Sequence, residues 1–139
     1  MWCFGNILFE LATGTVLFRG NNLSEQLKLY MELLGPLPKK MTRCSDVYFH
    51  NGDPLKFLDP HDDPVTGRTM TTIVDMSHQP TQSLKAKVLD FFPDVRGDER
   101  RQVLHLVDLI SQCLVINPRK RLACDEALQH PFFQDTKQQ

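Results

Sequence analysis

The sequence has no excess of positive charge and no long apolar run, and each absence excludes a class of protein. Its 16 Lys and Arg residues are balanced by 17 Asp and Glu residues, which gives a formal net charge of -1. A nucleic-acid-binding surface needs clustered excess Lys and Arg, so we expect no direct nucleic-acid partner. No apolar run reaches the roughly 18 to 20 residues of a membrane span, so we expect no membrane partner.

Cysteine is present but unpaired in the sequence. Cys3, Cys44, Cys113 and Cys124 form no C-x-x-C motif, and no paired histidine spacing accompanies them. The pattern argues against a zinc site or a disulfide framework. It favours a reducing compartment, so we expect an intracellular protein, nuclear or cytoplasmic.

One short run of residues could be interpreted as a metal site. His61, Asp62 and Asp63 are adjacent, and all three side chains are possible ligands. They lie in the segment DPHDDP, where prolines and acids are typical of a turn. We therefore interpret the run as a solvated loop, and we assign no residue of the chain to a metal site.

The first segment predicts a helix over residues 2–13. It is apolar on nearly every side, without the strict alternation of a strand, and Gly14 follows as a C-terminal glycine. A helix that is apolar all round is expected to be buried all round. A strand is the alternative, and a secretory signal peptide is disfavoured because no Lys or Arg precedes Arg19 and Glu10 interrupts the apolar stretch.

The second segment predicts an amphipathic helix over residues 23–34. Asn22 is a suitable N-cap, and the acidic Glu25 three residues later resembles a capping box. The apolar stripe of this helix has helical spacing, and Gly35 and Pro36 end it. The stripe consists of Leu27, Tyr30, Met31 and Leu34.

Residues 36–82 have the composition of a long loop. Six of the nine prolines lie there, with several Asp, Asn and Gly residues. Only the run Thr69–Met76 favours a short extended segment. Long loops in compact domains are uncommon and tend to be functional, so we expect residues 36–82 to have a functional role.

Helix is predicted again over residues 83–133. The segment 83–92 precedes Pro93, the strongly periodic segment 99–115 follows Asp98 as its cap, and the segment 125–130 precedes Pro131. Residues 134–139 form a polar tail. The fold class predicted from these patterns is mainly α.

Short motifs in a fixed order give the sharper signal. MWCFGNILFELATG resembles the D-x-W-S-x-G-x-x-x-x-E-L-x-x-G block of eukaryotic protein kinases, and LFRG resembles the L-F-x-G that follows it. Near the C-terminus, Leu114, Pro118 and Arg121 fit L-x-x-x-P-x-x-R, and ALQHPF fits A-L-x-H-P-F. The order and spacing of these motifs cover essentially the whole chain.

The resemblance can be narrowed to one group of kinases. A long insert after the second helix is typical of the CMGC group, and GPLPKKMTR is similar to the pre-mRNA-processing Prp-four-type splicing kinases. The dual-specificity Tyr-regulated kinases are the alternative. The resemblance implies that residues 1–133 form a partial C-terminal lobe, equivalent to helices F to I, with residues 2–13 as its central helix.

The resemblance also implies that much of a kinase is not in this sequence. In the family, the glycine-rich loop, the HRD and DFG motifs and the A-P-E motif precede the D-x-W block, and this chain contains none of them. We assign no catalytic and no cofactor-binding residue, and ATP and magnesium are implied only for a complete parent. Met1 stands where this branch of the family often has an internal methionine, so we expect a gene model or a fragment that starts at that methionine. The expected partners are the missing N-terminal kinase segments.

Three residues carry structural roles by resemblance. Trp2 corresponds to the Trp that packs beneath the activation segment, Gly5 to the glycine of the D-x-W block, and Arg121 to the Arg that pairs with the A-P-E Glu. Since that Glu is not in the chain, the alternative for Arg121 is simple solvation. The departures Cys3 for Ser and Ala123 for a capping Ser or Thr indicate a divergent member.

Two functions remain open at this point. The first is the C-terminal part of a Ser/Thr kinase that acts on splicing factors when complete and is inactive as this chain alone. The second is a truncated pseudokinase that binds protein substrates or docking partners through residues 23–82. An unrelated helical adaptor is disfavoured by the ordered motifs. In either case the isolated chain is expected to be marginally stable or aggregation-prone, because apolar side chains of residues 2–13 would lose their cover.

Overall fold

A computed structural model describes residues 1–43 and 45–134. The described chain forms two compact units. The first comprises Met1–Leu17 together with the described residues from Ser83 onward, and the second comprises Phe18–Gln82. The predicted polar tail lies outside the described residues, apart from Gln134. The assignment of residues 1–133 to one kinase lobe stays a prediction.

The first unit begins with helix α1, Trp2–Thr13, as predicted. Gly14 ends it in the left-handed conformation, with φ of 69°, and its N–H donates to the Glu10 carbonyl at 2.8 Å. Glycine adopts this conformation without the penalty that a Cβ brings. Helix α1 is not buried on every face, because Ile7 is 52% exposed and Leu11 is 78% exposed. This exposure agrees with the expectation that apolar side chains of residues 2–13 lose their cover in the isolated chain.

Four more helices lie in the described part of the first unit. They are α4 (Leu84–Leu89), α5 (Gly97–Cys113), α6 (Cys124–Leu128) and α7 (Pro131–Gln134). The core of this unit contains Leu109, Cys113 and Ala127, and apolar residues of α1 and α7 pack against it. Because α5 carries apolar residues at helical spacing, one of its faces is buried along most of its length.

Two helix starts in this unit differ from the predicted ones. Helix α5 begins at Gly97, so Asp98 lies in its first turn rather than at the cap, and its carboxylate pairs with Arg101 at 3.2 Å. An acid in the first turn still complements the helix dipole. At α6, Ala123 has no side chain to cap with, but the Glu126 carboxylate accepts the Ala123 N–H at 2.9 Å. Half of the capping box therefore remains.

The second unit contains helix α2, Leu23–Leu34, as predicted. The Asn22 side chain accepts the Glu25 N–H at 2.9 Å, which satisfies one free donor of the first turn. The Glu25 carboxylate reaches back to the Asn21 N–H at 2.8 Å rather than to the Asn22 N–H. Within the predicted stripe, Met31 is fully buried and the other three residues are half-buried.

The interpretation of residues 36–82 as loop is wrong in part. The segment contains a short helix α3 (Lys39–Thr42), a 3-10 turn (His50–Gly52) and two antiparallel strands, β1 (Lys56–Asp62) and β2 (Thr69–Asp75). The predicted extended run Thr69–Met76 contains β2. The residues of β1 lie where the sequence predicts loop and turn, because the segment contains Pro60. His61 and Asp62 end β1, so they belong to a strand, although both are exposed.

The base of the hairpin is anchored in the core of the second unit. Phe57 of β1 is fully buried, and its ring meets that of Phe49 edge-on with centroids 5.8 Å apart. Met76, just after β2, is also buried, and its N–H donates to the Leu55 carbonyl at 2.8 Å. Toward the turn, nearly every residue of both strands is exposed. The core thus anchors the hairpin at one end.

Candidate functional site

Helix α1 packs tightly against the end of α5 at Gly5. A Cβ added there would lie 2.8 Å from the Cys113 Cβ and 3.2 Å from two carbons of the Leu114 side chain. Real Cβ atoms do not come so close, so only glycine allows the two helices to meet at this point. The packing of α1 on the end of α5 therefore explains why position 5, predicted to be structural, is a glycine.

Arg121 binds the chain that leaves α5. Its Nε donates to the Val115 carbonyl at 2.9 Å, and its Nη2 donates to the Ile116 carbonyl at 3.1 Å. These carbonyls follow the C-terminal end of α5, where no helical N–H is available to them. A cation at this end also complements the helix dipole. The two-pronged guanidinium suits both carbonyls at once.

The Arg121 guanidinium also lies over Trp2. Its central carbon is 5.1 Å from the centre of the indole ring, within the range of a cation–π contact. Two of the three predicted structural residues, Trp2 and Arg121, thus meet in one contact. Neither expected environment of Arg121 is found, since it is half-buried rather than solvated, and among the described residues no carboxylate lies within ion-pair distance of it. Main-chain carbonyls and an aromatic face take that place.

The Cys113 thiol lies fully buried at the end of α5. Burial raises its pKa, because removal from water penalises the thiolate, and the nearby positive charge of Arg121 opposes this only in part. A thiol of this kind packs as a small apolar group and is a poor nucleophile. The sequence shows no signal of this difference from the exposed Cys3 and Cys124.

An apolar cavity of about 380 Å³ opens between α1, α6 and α7 of the first unit. Its walls are Met1, Phe4, Cys124, Ala127, Leu128 and Phe133. The Cys124 Sγ lies 3.5 Å from the Met1 Sδ. None of these lining residues has a charged side chain, so the walls are mainly apolar.

A polar network that the sequence did not reveal fixes α7 to α5. The buried His130 contacts the Asp108 carboxylate through Nε2 at 3.0 Å, and its Nδ1 accepts the Phe132 N–H at 3.2 Å. Acceptance at Nδ1 assigns the proton to Nε2, which donates to Asp108. Gln112 adds a 2.9 Å bond to the same carboxylate. The histidine of the H-P-F motif thus holds the start of α7.

The predicted binding segment 23–82 presents mixed charge. Lys28 of α2 forms an ion pair with Asp59 of β1 at 2.6 Å, so the helix and the strand are tied together. At the hairpin turn, the hydroxyl of Thr66 and the N–H of Val65 lower the pKa of Asp63. After β2, the Ser77 N–H lowers the pKa of Asp75. Each of these two carboxylates shapes a turn of its own chain.

Other candidate groups lie apart from one another. Lys39 and Lys40 are exposed to solvent, as are Arg119 and Lys120 near the C-terminal end of the chain. Over residues 1–43 and 45–134, no three or more His, Cys, Asp and Glu side chains come together as a metal site. Membrane crossing would need a longer and more apolar helix than any found in this part of the chain.

Sequence comparison places the chain among protein kinases. No protein-family model matches it. Curated proteins do match, and one is Serine/threonine-protein kinase prp4 of Schizosaccharomyces pombe, which is 32% identical over 133 residues, 95% of this chain and 28% of that protein. Serine/threonine-protein kinase ppk5 of the same organism is 35% identical over 96% of this chain and 14% of that protein. Dual specificity protein kinase CLK2 of Homo sapiens is 33% identical over 96% of this chain and 23% of that protein.

The matches cover different shares of this chain and of its relatives. They cover nearly all of this chain, but the chain spans less than a third of the length of each curated relative. A short part of a kinase therefore corresponds to the whole of the described fold.

Proposed function

We propose, from the premise that this chain is a kinase-derived sequence of the CMGC group, that it forms part of the C-terminal lobe of a Ser/Thr protein kinase. The single observation that carries the proposal is the match of about 95% of the chain to such kinases. The structure supports it through the Gly5, Trp2 and Arg121 contacts, which link the D-x-W block to the L-x-x-x-P-x-x-R motif within one unit.

The proposed contribution of this chain is structural. Phosphoryl transfer needs groups that cradle the phosphates, hold magnesium and orient the acceptor hydroxyl. The sequence has no glycine-rich loop, HRD or DFG motif to supply them. We therefore infer that the chain alone neither binds ATP with magnesium nor transfers phosphate, and that the complete protein phosphorylates Ser or Thr in proteins, with splicing factors as the expected substrates.

The proposed partner is the remainder of the kinase domain. Ile7 and Leu11 lie on the uncovered side of α1 and leave large apolar surface in water. Covering such side chains stabilises a protein by about 1.5 to 3 kcal/mol each. Catalytic and activation segments packed on this side would supply that cover, and residues 23–82 would remain available to substrates and docking partners in a nuclear or cytoplasmic protein.

A chimaeric kinase tests the proposal directly. The segment of the fission-yeast kinase prp4 that aligns with this chain is replaced by residues 1–133, and phosphorylation of a Ser/Thr protein substrate is measured. We expect a folded, active chimaera, and an otherwise identical chimaera with Gly5→Leu should lose activity. A chimaera that folds with a cooperative melting transition but transfers no phosphate contradicts the lobe assignment.

The isolated chain provides the second half of the test. Titration of the full 139-residue chain with ATP and magnesium, followed by calorimetry, should give no heat of binding. Saturable nucleotide binding would contradict the proposed structural role while leaving the family unchanged.

A further inference from the structure

We propose that the outer edge of β2 pairs with the same edge of a second copy of this chain, in a two-fold antiparallel arrangement centred on Thr72. The proposal concerns the second unit alone and does not depend on the kinase role. It follows from the hydrogen-bond direction, the exposure and the charge pattern of the hairpin.

The ladder shows which main-chain groups face outward. Arg68 and Met76 bond to the β1 side, because the Asp63 N–H donates to the Arg68 carbonyl at 2.9 Å and the Met76 N–H donates to the Leu55 carbonyl at 2.8 Å. Bonding alternates along an antiparallel strand. The even-numbered residues of β2 therefore face β1, and the N–H and C=O groups of Thr69, Thr71 and Ile73 point away from it.

The two edges of the hairpin differ in protection. On the β1 side, the outward Leu58 N–H donates to the Tyr48 carbonyl at 2.8 Å, and Pro60, also outward, has no N–H to offer. On the β2 side, no strand of the described residues pairs with the outer edge. That edge has neither proline nor lysine from Thr69 to Asp75. It lacks the usual devices that keep an edge from pairing.

The side chains of β2 fit an extended partner. Met70 and Ile73 are 53% and 55% exposed, on opposite faces of the strand. Threonine and β-branched residues supply most of the rest, and these favour strands. A two-stranded ribbon is marginal in water without further strands. A third strand would bury both apolar side chains and satisfy the outward groups.

The sequence of β2 complements itself. Pairing about Thr72 sets Thr71 opposite Ile73 of the second copy, so the outward groups of each strand meet those of the other in bonded pairs. Residues 69–74 carry no charge. The two Asp75 carboxylates stand at opposite ends, six residues or about 20 Å apart. Since the Debye length is about 8 Å in physiological salt, their repulsion is largely screened.

A crosslink at the two-fold axis tests the pairing. Thr72 would lie directly opposite Thr72 of the second copy, in a pair that shares no main-chain hydrogen bond. The two Cα atoms would be about 4.5 Å apart, within the range of a disulfide. In a background with Ser at Cys3, Cys44 and Cys124, Thr72→Cys should give a dimer on mild oxidation that a reductant reverses. Thr71→Cys is the matched control and should form no disulfide-linked dimer, because its partner is Ile73 of the other copy.

A second variant tests the hydrogen bonds. Thr71→Pro removes an outward N–H but no bond to β1, so the circular dichroism of the chain should be kept while the dimer seen by light scattering is lost. Thr71→Val keeps the N–H and should remain dimeric. A native chain that is monomeric at all accessible concentrations, a failure of Thr72→Cys to crosslink, or a crosslink at Thr71→Cys instead overturns the proposal.

Discussion

Gly5 and Cys113 meet so closely that their two helices leave no room for a methyl group between them. The Cys113 Cβ lies 2.8 Å from where a Gly5 Cβ would be. Helix α1 and helix α5 belong to the same unit, and the contact sets their separation.

The Gly5→Ala variant should be less stable than the native chain. Ala favours a helix interior over Gly by about 1 kcal/mol, so propensity alone predicts the opposite sign. Overpacking costs typically 1 to 3 kcal/mol, and the neighbour is a Cβ that cannot swing aside. Urea unfolding should therefore give a lower midpoint, whereas Cys3→Ala on the exposed side of α1 should stay within about 0.5 kcal/mol. A raised midpoint for Gly5→Ala would refute the close approach.

The Arg121→Met variant should unfold more easily, because the Val115 and Ile116 carbonyls lose a charged donor. Hydrogen bonds to charged groups contribute about 1.5 to 3 kcal/mol. Trp2 is the only tryptophan of the chain, so its fluorescence should also change as the guanidinium leaves the ring. Arg119→Met, at an exposed neighbour, is the matched control and should change neither signal. Equal stability of the two variants would show that the carbonyl contacts add nothing.

The stability of the chain should fall at high pH partly through Cys113. Burial raises the pKa of this thiol in the folded state, so the folded chain keeps its proton where the unfolded chain loses it. The contribution is full below the unfolded pKa of about 8.5 and is lost as the pH rises from there toward the folded pKa. The native chain should thus lose more stability than Cys113→Ala between pH 8 and pH 10. Parallel curves for the two proteins would count against a perturbed thiol.

The exposed side of α1 should cause association of the isolated chain. Leu11→Gln replaces a side chain that is 78% exposed, so folding stability should change by less than about 0.5 kcal/mol while light scattering on warming decreases. Leu8→Gln is the contrasting variant, since Leu8 packs against the core and its change should lower the unfolding midpoint. If light scattering by the Leu11→Gln variant equalled that of the native chain, this side of α1 would not be the surface through which the chain associates. This association is separate from the β2 pairing, because Leu11 and β2 lie in different units.

Local signals predicted the helices that have clear starts and ends. Asn22 and Gly35 bound α2, and Gly14 ends α1, because cap geometry depends on a few adjacent residues. Strand β1 was missed because Pro60 is typical of a turn. In the hairpin that proline occupies an outward position, where its missing N–H breaks no bond to β2, and single-strand patterns do not show which way a residue faces.

The sequence identified the residues of the candidate site but not the contacts that they make. The ordered motifs selected Trp2, Gly5 and Arg121, and all three lie in the first unit. The partner expected for Arg121 was a glutamate, and its observed partners are two carbonyls and the Trp2 ring. The His130 and Asp108 pair gave no signal at all, since the two residues are far apart in sequence.

The sequence by itself determined the family, helices α1 and α2 with their terminal residues, and the choice of Gly5 as a structural residue, because these depend on residue type and short spacing. Only the tertiary structure decided that residues 56–75 form a hairpin with one open edge, that α1 is covered on one side, and that Arg121 holds the end of α5. Each of these depends on which groups distant in the chain come within hydrogen-bonding or van der Waals range, and spacing along one sequence does not fix those distances.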